Sequence, residues 1–160
     1  MNIQEFVKLM NEDLLREYEH WFTYMQAASS VRGLNRLELE EFFLEEAKDE
    51  MEHIHEFALR LNGLDTEPVT SVALSIQTPI DDEKFNRGDS RFWLEKILAM
   101  EIEVVEHFAK RIKTTEEIGG ADGYSLHVFY EDMINDSRKT VDKVKMILNY
   151  YPFSNKKMYD

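Results

Sequence analysis

The chain contains no cysteine, only three prolines and six glycines, and no long uncharged hydrophobic run. Without cysteine, disulfide bonds and thiolate metal ligands are excluded. Because so few residues interrupt helices, the 160 residues can form long helices in one domain with a sizeable core. No apolar run reaches the length of a membrane span, so we expect no membrane insertion.

Basic residues are also scarce. There are 19 Lys and Arg against 32 Asp and Glu, which gives a formal net charge of −13. Such a surface repels nucleic acid and anionic lipid and attracts cations, although solubility alone is a sufficient reason for it. The first 25 residues already carry five acidic residues, so we predict no signal peptide and a cytoplasmic protein.

Apolar residues recur at helical spacing in four segments. The predicted helices cover residues 2–31, 35–62, 90–117 and 124–149. Glycines mark the ends: Gly33 follows the first helix, Gly63 is a C-cap signal for the second, and Gly119, Gly120 and Gly123 lie in the last predicted loop. The connections are therefore short, long and short.

This order of connections predicts an all-α protein. Short links favour antiparallel hairpins, and the long link of residues 63–89 can return along the bundle between helices two and three. We therefore predict an antiparallel four-helix bundle over residues 1–150 with a crossover in its middle, followed by a short C-terminal tail over residues 151–160.

Polar residues interrupt the apolar stripes at one common depth. Glu17, Glu101 and the pair Glu50/His53 occupy stripe positions on three helices, and Ser137 does so on the fourth. Glu50 and His53 are three residues apart, so both can reach one ion. Carboxylate and imidazole ligands suit iron, manganese or zinc. A buried ion-pair network is the alternative, but few basic residues fall on these faces.

Three segments resemble the ferritin-like superfamily of diiron carboxylate proteins, and bacterioferritin and ferritin most of all. Leu14–Glu17 followed by Tyr24 resembles the first-helix ligand with its companion tyrosine. Glu46–His53 resembles the E-x-x-D-E-M-x-H segment of the second helix, and Leu98–Glu101 resembles the ligand segment of the third. The resemblance covers roughly residues 1–150.

The resemblance implies a diiron site. Glu17 would be a terminal ligand, Glu50 a bridging ligand and His53 a nitrogen ligand of one iron, while Glu101 would bind the second. Tyr24 would donate an electron or hydrogen-bond a ligand, although a buried tyrosine that only packs in the core is the alternative.

The fourth helix departs from the family pattern. A second E-x-x-H is expected there, but Ser137 and Thr140 occupy its two ligand positions. The site is then asymmetric with a weak second iron, or recruits Asp136, or binds one metal. Arg138 is a candidate to replace the second cation electrostatically.

Several other residues have two interpretations. His20 forms a second E-x-x-H with Glu17, but a helix-interface histidine is favoured. Met51 matches a haem-ligating methionine of bacterioferritin; because no other haem feature is visible, a dimer-interface position is favoured. An apolar face on helix one contains Tyr18, Phe22 and Met25 and predicts a homo-oligomer, at least a dimer. His107 is predicted to be a surface or interface residue.

Three functions fit these patterns. The first is ferroxidase activity with iron storage or detoxification, in which O2 or peroxide oxidises Fe(II). The second is a diiron oxidase or oxygenase, which would need an apolar pocket beside the irons for its organic substrate. The third is a non-catalytic bundle with a mononuclear or relic metal site.

Overall fold

A computed structural model describes residues 1–68 and 90–149 of the chain. Four α-helices and no strands occur in these two ranges. The predicted C-terminal tail and most of the predicted crossover lie outside them. None of the described helices is long and apolar enough to cross a membrane. The helices are α1 (Ile3–Ser30), α2 (Arg36–Gly63), α3 (Ser90–Ile118) and α4 (Gly120–Asn149).

The helix ends follow local chemistry. Asn2 caps α1 through a capping box, in which its side chain accepts from the Glu5 backbone N–H and the Glu5 side chain accepts from that of Asn2. Gly33, at φ +107°, takes a left-handed conformation in the turn before α2. The prediction of Gly63 as the cap of α2 is wrong, because the helix includes Gly63 and the left-handed residue is Asp65, at φ +53°.

The contacts between helices establish the bundle. Asp13 of α1 contacts Arg111 of α3, whereas Tyr24 contacts Glu101, so these helices run in opposite directions. Similarly, α2 and α4 are antiparallel, because Arg60 contacts Ser125 and Glu46 contacts Thr140. The short connections make α1–α2 and α3–α4 antiparallel hairpins. Because α1 is antiparallel to both α2 and α3, α2 and α3 run in the same direction. This is the topology predicted from the short, long and short connections.

Two apolar clusters fill the ends of the bundle and leave a polar layer between them. One cluster is built around Phe6, Phe57, Phe108 and Tyr130. The other contains Tyr24, Phe43, Trp93 and Ile97. The side chains at the middle depth are polar and nevertheless buried. They are Glu17, Glu50, His53, Glu101, Ser137 and Thr140.

The predicted last loop is much shorter than expected. A single residue, Gly119, separates α3 from α4, and Gly123 lies inside α4 rather than in a loop. A Cβ atom at residue 123 would lie 2.8 Å from the Thr115 carbonyl oxygen. Gly123 is therefore required by close packing of two helix backbones, which a sequence pattern does not distinguish from a turn.

Candidate metal centre

Glu17, Glu50 and His53 form a buried group at the centre of the bundle. One ligand atom from each residue lies within 4.8 Å of the others. The His53 Nδ1 atom is 3.2 Å from Glu17 Oε2 and 3.5 Å from Glu50 Oε2. Since Glu50 and His53 are one turn apart on α2, the helix itself points both toward Glu17 of α1.

The protonation of this group is coupled. Burial alone would lower the pKa of His53, but hydrogen bonding to Glu17 and Glu50 outweighs it and raises this pKa to about 12. Burial raises the pKa of Glu50 well above its usual value, and the neighbouring Glu17 raises it further. Burial opposes ionisation of Glu17 too, but His53 and His20 lower its pKa. The proton on His53 thus provides positive charge that a metal ion could supply instead.

Glu101 adds a third carboxylate from α3. The Tyr24 hydroxyl donates a hydrogen bond to Glu101 Oε1 over 2.6 Å, while Glu101 Oε2 has no hydrogen-bond partner although it is buried. Glu50 Oε2 is also buried, and its only contact among the described residues is the 3.5 Å ion pair with His53 Nδ1. Unpaired buried carboxylate oxygens are unfavourable unless a cation satisfies them. Together with the oxygen and nitrogen donor set, they fit a transition metal.

Asp136 lies on the other side of His53. Its Oδ2 atom is 3.2 Å from His53 Nε2, whereas Nδ1 faces Glu17 and Glu50. Metal-binding histidines commonly donate their second ring N–H to a carboxylate, which fixes the ring. Asp136 contacts His53 in this arrangement, but it does not belong to the three-residue group.

The positions on α4 where the resemblance predicts a second E-x-x-H hold buried hydroxyl side chains. Ser137 and Thr140 both face the interior, as predicted. Arg138 is exposed, so the prediction of Arg138 as the replacing cation is wrong. The basic residue that contacts a buried carboxylate here is Lys143, whose Nζ atom is 2.9 Å from Glu46 Oε1.

A cavity of about 260 Å³ opens beside the centre, between α2 and α4. Glu50, His53 and Glu101 line its inner part, and exposed residues such as Asp49 and Glu52 line its mouth. Its lining is dominated by carboxylates, with lysine and hydroxyl side chains. This composition attracts cations and does not provide the apolar surface that an organic substrate would need.

Two further buried carboxylates are not predicted by the sequence patterns. Glu46 is 4% exposed and precedes Glu50 by one turn, a spacing that was visible in the second-helix segment. Asp13 is completely buried and precedes Glu17 by one turn. In both cases the signal was a second acidic residue at i−4 on the same inward face.

Asp13 is satisfied by three partners. His107 contacts Oδ1 at 2.6 Å, Arg111 donates to both oxygens, and the Tyr130 hydroxyl donates to Oδ2 over 2.7 Å. Burial raises the pKa of Asp13, but these three hydrogen bonds outweigh it and lower the value. His107, which was predicted to be a surface or interface residue, is partly exposed: its ring is 19% exposed and contacts this buried acid.

The remaining candidates lie farther from the group. The His20 Nδ1 atom is 3.8 Å from Glu17 Oε1, and burial lowers the pKa of this histidine. This geometry favours a neutral histidine at the helix interface. Met51 is 56% exposed on the outer side of α2, and Met25 of α1 is also exposed. Both remain candidates for contact with another copy of the chain.

The metal-free protein should lose stability as the pH rises from 5 to 8. The pKa of Glu101 is raised to about 7, because burial and the neighbouring Glu17 and Glu46 outweigh the hydrogen bond from Tyr24, which lowers it. A carboxyl whose pKa is higher in the folded state stabilises the fold while protonated, and this contribution disappears as pH rises from about 4.5 to 7. We expect a loss of roughly 1–3 kcal/mol in the free energy of unfolding.

Chemical denaturation of the metal-free protein at several pH values measures this loss. The Glu101→Gln variant, which keeps an acceptor for Tyr24, should show a flatter pH profile. An equal slope in both proteins would contradict the assignment.

The geometry defines a four-helix bundle with a buried carboxylate–histidine centre. Residues 7–152 match the sequence model of the ferritin-like domain, and the chain belongs to this family. A search of curated protein sequences gave no significant match.

Solved structures agree with the fold. A ferritin-like diiron-carboxylate protein from Bacillus anthracis is 27% identical, with 92% of this chain and 99% of that one covered and a TM-score of 0.74. The dodecameric thioferritin from Bacteroides fragilis is 15% identical, and the match covers 100% of this chain and 94% of that one with a TM-score of 0.80. A Dps protein from Bacillus brevis is 17% identical, and the match covers 91% of this chain and 95% of that one with a TM-score of 0.78. At these identities the last two support the fold alone.

Proposed function

We propose that the protein binds Fe(II) in the bundle and oxidises it with O2 or peroxide, as part of iron storage or detoxification in a homo-oligomer. The observation that carries this proposal is the convergence of Glu17, Glu50 and His53 on one buried point. The family membership and the dodecameric state of one structural relative support it.

The residues have distinct roles in this proposal. Glu17 and His53 would hold the first metal, and Glu50 would bridge to a second one beside Glu101. Bound Fe(II) would supply electrons to the oxidant. Asp136 would keep the His53 ring in place, and Tyr24 would hold Glu101 and stand close enough to supply an additional electron. Neutral His20 would pack against Glu17 without binding metal.

Other functions receive less support. An oxidase acting on an organic substrate is not favoured, because the cavity beside the centre is lined mainly by charged residues. A haem would depend on Met51 alone, which is 56% exposed on the outer side of α2. The choice that remains is between one metal and two, since Ser137 and Thr140 provide neither carboxylate nor imidazole.

Anaerobic titration with Fe(II), followed by air or peroxide, tests the proposal. We expect one tightly bound equivalent, a weaker second one, and ferric absorbance on addition of oxidant. Binding without oxidation would leave the non-catalytic function, and absence of binding with unchanged melting would contradict the proposal as a whole.

A further inference from the structure

Glu46 is a buried carboxylate that the proposed ligand set does not use. It is 4% exposed and lies on α2 one turn before Glu50, facing the same interior. A buried carboxylate is unfavourable without partners, so its two contacts indicate what it requires. Both contacts come from α4, the helix that lacks the expected metal ligands.

The first contact is with Thr140. The Thr140 hydroxyl donates a hydrogen bond to Glu46 Oε2 over 2.6 Å. Thr140 occupies the position where the family pattern has its second histidine, so the side chain that replaces this histidine holds a carboxylate instead. This bond leaves Oε1 as the oxygen of Glu46 that needs a cation.

The second contact provides that cation. Lys143 Nζ is 2.9 Å from Glu46 Oε1, but the Lys143 side chain is 55% exposed. A half-exposed ion pair is weak, and its lysine can return to water with little loss. Glu46 is therefore paired with a cation that a stronger one can displace.

An unpaired buried oxygen points to such a cation independently. Glu101 Oε2 has no hydrogen-bond partner although this residue is 1% exposed, and Glu50 Oε2, in a residue that is 5% exposed, has only the ion-pair contact with His53 Nδ1 at 3.5 Å. Both line the same 260 Å³ cavity as Glu46, Ser137 and Thr140. Buried carboxylates from two helices thus line the space that Glu46 also borders.

We propose that Glu46 supplies the carboxylate that α4 lacks for a second divalent metal, next to Glu50 and Glu101. Thr140 holds Oε2 of this carboxylate, and Lys143 is the cation that the metal displaces from Oε1. The inference rests on the proposed function, because the second metal needs the first site beside it. Asp136 is not available for this role while it contacts His53 Nε2.

Replacing Glu46 by glutamine tests the assignment. The Glu46→Gln side chain keeps its volume and can still accept from Thr140, so the fold should be retained. In anaerobic calorimetric titrations with Mn(II) and with Fe(II), we expect the second equivalent to weaken at least about 10-fold, while the first is unchanged. Glu41→Gln makes the same charge change at an exposed position of α2 and should bind both equivalents as the wild type does.

Replacing Lys143 by glutamine gives the opposite expectation. Lys143→Gln removes the competing cation, so the second equivalent should bind about fivefold more tightly, the scale of a partly exposed ion pair. Lys139→Gln is the matched control, because Lys139 is an exposed lysine that lines the same cavity without contacting Glu46. An equal gain in both lysine variants would show a general charge effect and would contradict a specific role for Glu46.

The outcomes separate this inference from the proposed function. Two equivalents of unchanged affinity in Glu46→Gln, or a single equivalent in the wild type, overturn the role of Glu46 and leave the first site intact. No bound metal in the wild type overturns both. Should Glu46→Gln fail to fold by circular dichroism, Thr140→Val provides the test, and unchanged binding of the second equivalent in that variant overturns the inference.

Discussion

Replacing Glu50 by glutamine is expected to abolish metal-induced stabilisation. For the wild-type protein, a metal at 100 times its dissociation constant adds about 2.7 kcal/mol to the free energy of unfolding, which corresponds to roughly 5–10 °C in Tm. Glu50 faces Glu17 and His53 and is proposed to bridge two metals, so its loss weakens both sites. Thermal melting with and without Zn(II) or Fe(II) measures the difference.

The same substitution should not destabilise the metal-free protein. Burial raises the pKa of Glu50 well above its usual value, which shows that its charged form is unfavourable inside the bundle. A neutral amide removes that penalty, so we expect a metal-free Tm equal to or above that of the wild type. An equal metal-induced shift in Glu50→Gln and wild type would exclude Glu50 from the site.

His53→Ala should also weaken metal binding, by about 10-fold or more.

Replacing Asp13 by alanine is expected to cost about 3–5 kcal/mol of folding stability. Arg111, His107 and Tyr130 all direct hydrogen-bond donors at this one buried carboxylate. Removing it leaves two polar groups without their partner inside the bundle and leaves Arg111 with only the exposed Glu12, 3.5 Å away. Urea denaturation of the metal-free protein measures the loss.

Metal binding and pH provide the controls for this prediction. If the folded variant binds metal with wild-type affinity, its defect is confined to the fold. Because the pKa of Asp13 is lowered in the folded state, its contribution is present above about pH 4 and disappears as the pH falls through that lowered pKa. Asp13→Asn should therefore reduce the acid sensitivity of the protein, and an unchanged acid transition would contradict this account.

The periodicity of the sequence was sufficient for the four helices and their order. Predicted and observed helix ends agree within one residue except at the beginning of α4, where the sequence pattern could not distinguish close packing of Gly123 on α3 from a loop. Inward polar positions were also sufficient to find Glu17, Glu50, His53 and Glu101. These residues are one helical turn from apolar neighbours, so helix geometry alone predicts that their side chains lie on the buried side of each helix.

Partners across the bundle could not be predicted in the same way. Asp13 meets His107 and Arg111 across 94 and 98 residues of sequence, and Glu46 meets Thr140 across 94. Such pairs depend on the axial register between helices, which periodicity leaves undetermined. The sequence pattern therefore shows Thr140 only as a missing histidine and does not indicate that its hydroxyl contacts the buried Glu46.

The cavity mouth lies on one flank of the bundle, between α2 and α4, and this position has a consequence for assembly. In a hollow homo-oligomer each flank faces the inner compartment, the outer solution or a neighbouring subunit. The way copies pack would therefore decide from which compartment ions reach Glu50 and Glu101. A subunit that covers Asp49 and Glu52 would close this approach without any change in the ligands. The quaternary arrangement would thus determine the compartment from which metal ions enter. Two relatives with the same centre but different assemblies would then bind metal from opposite sides of a shell.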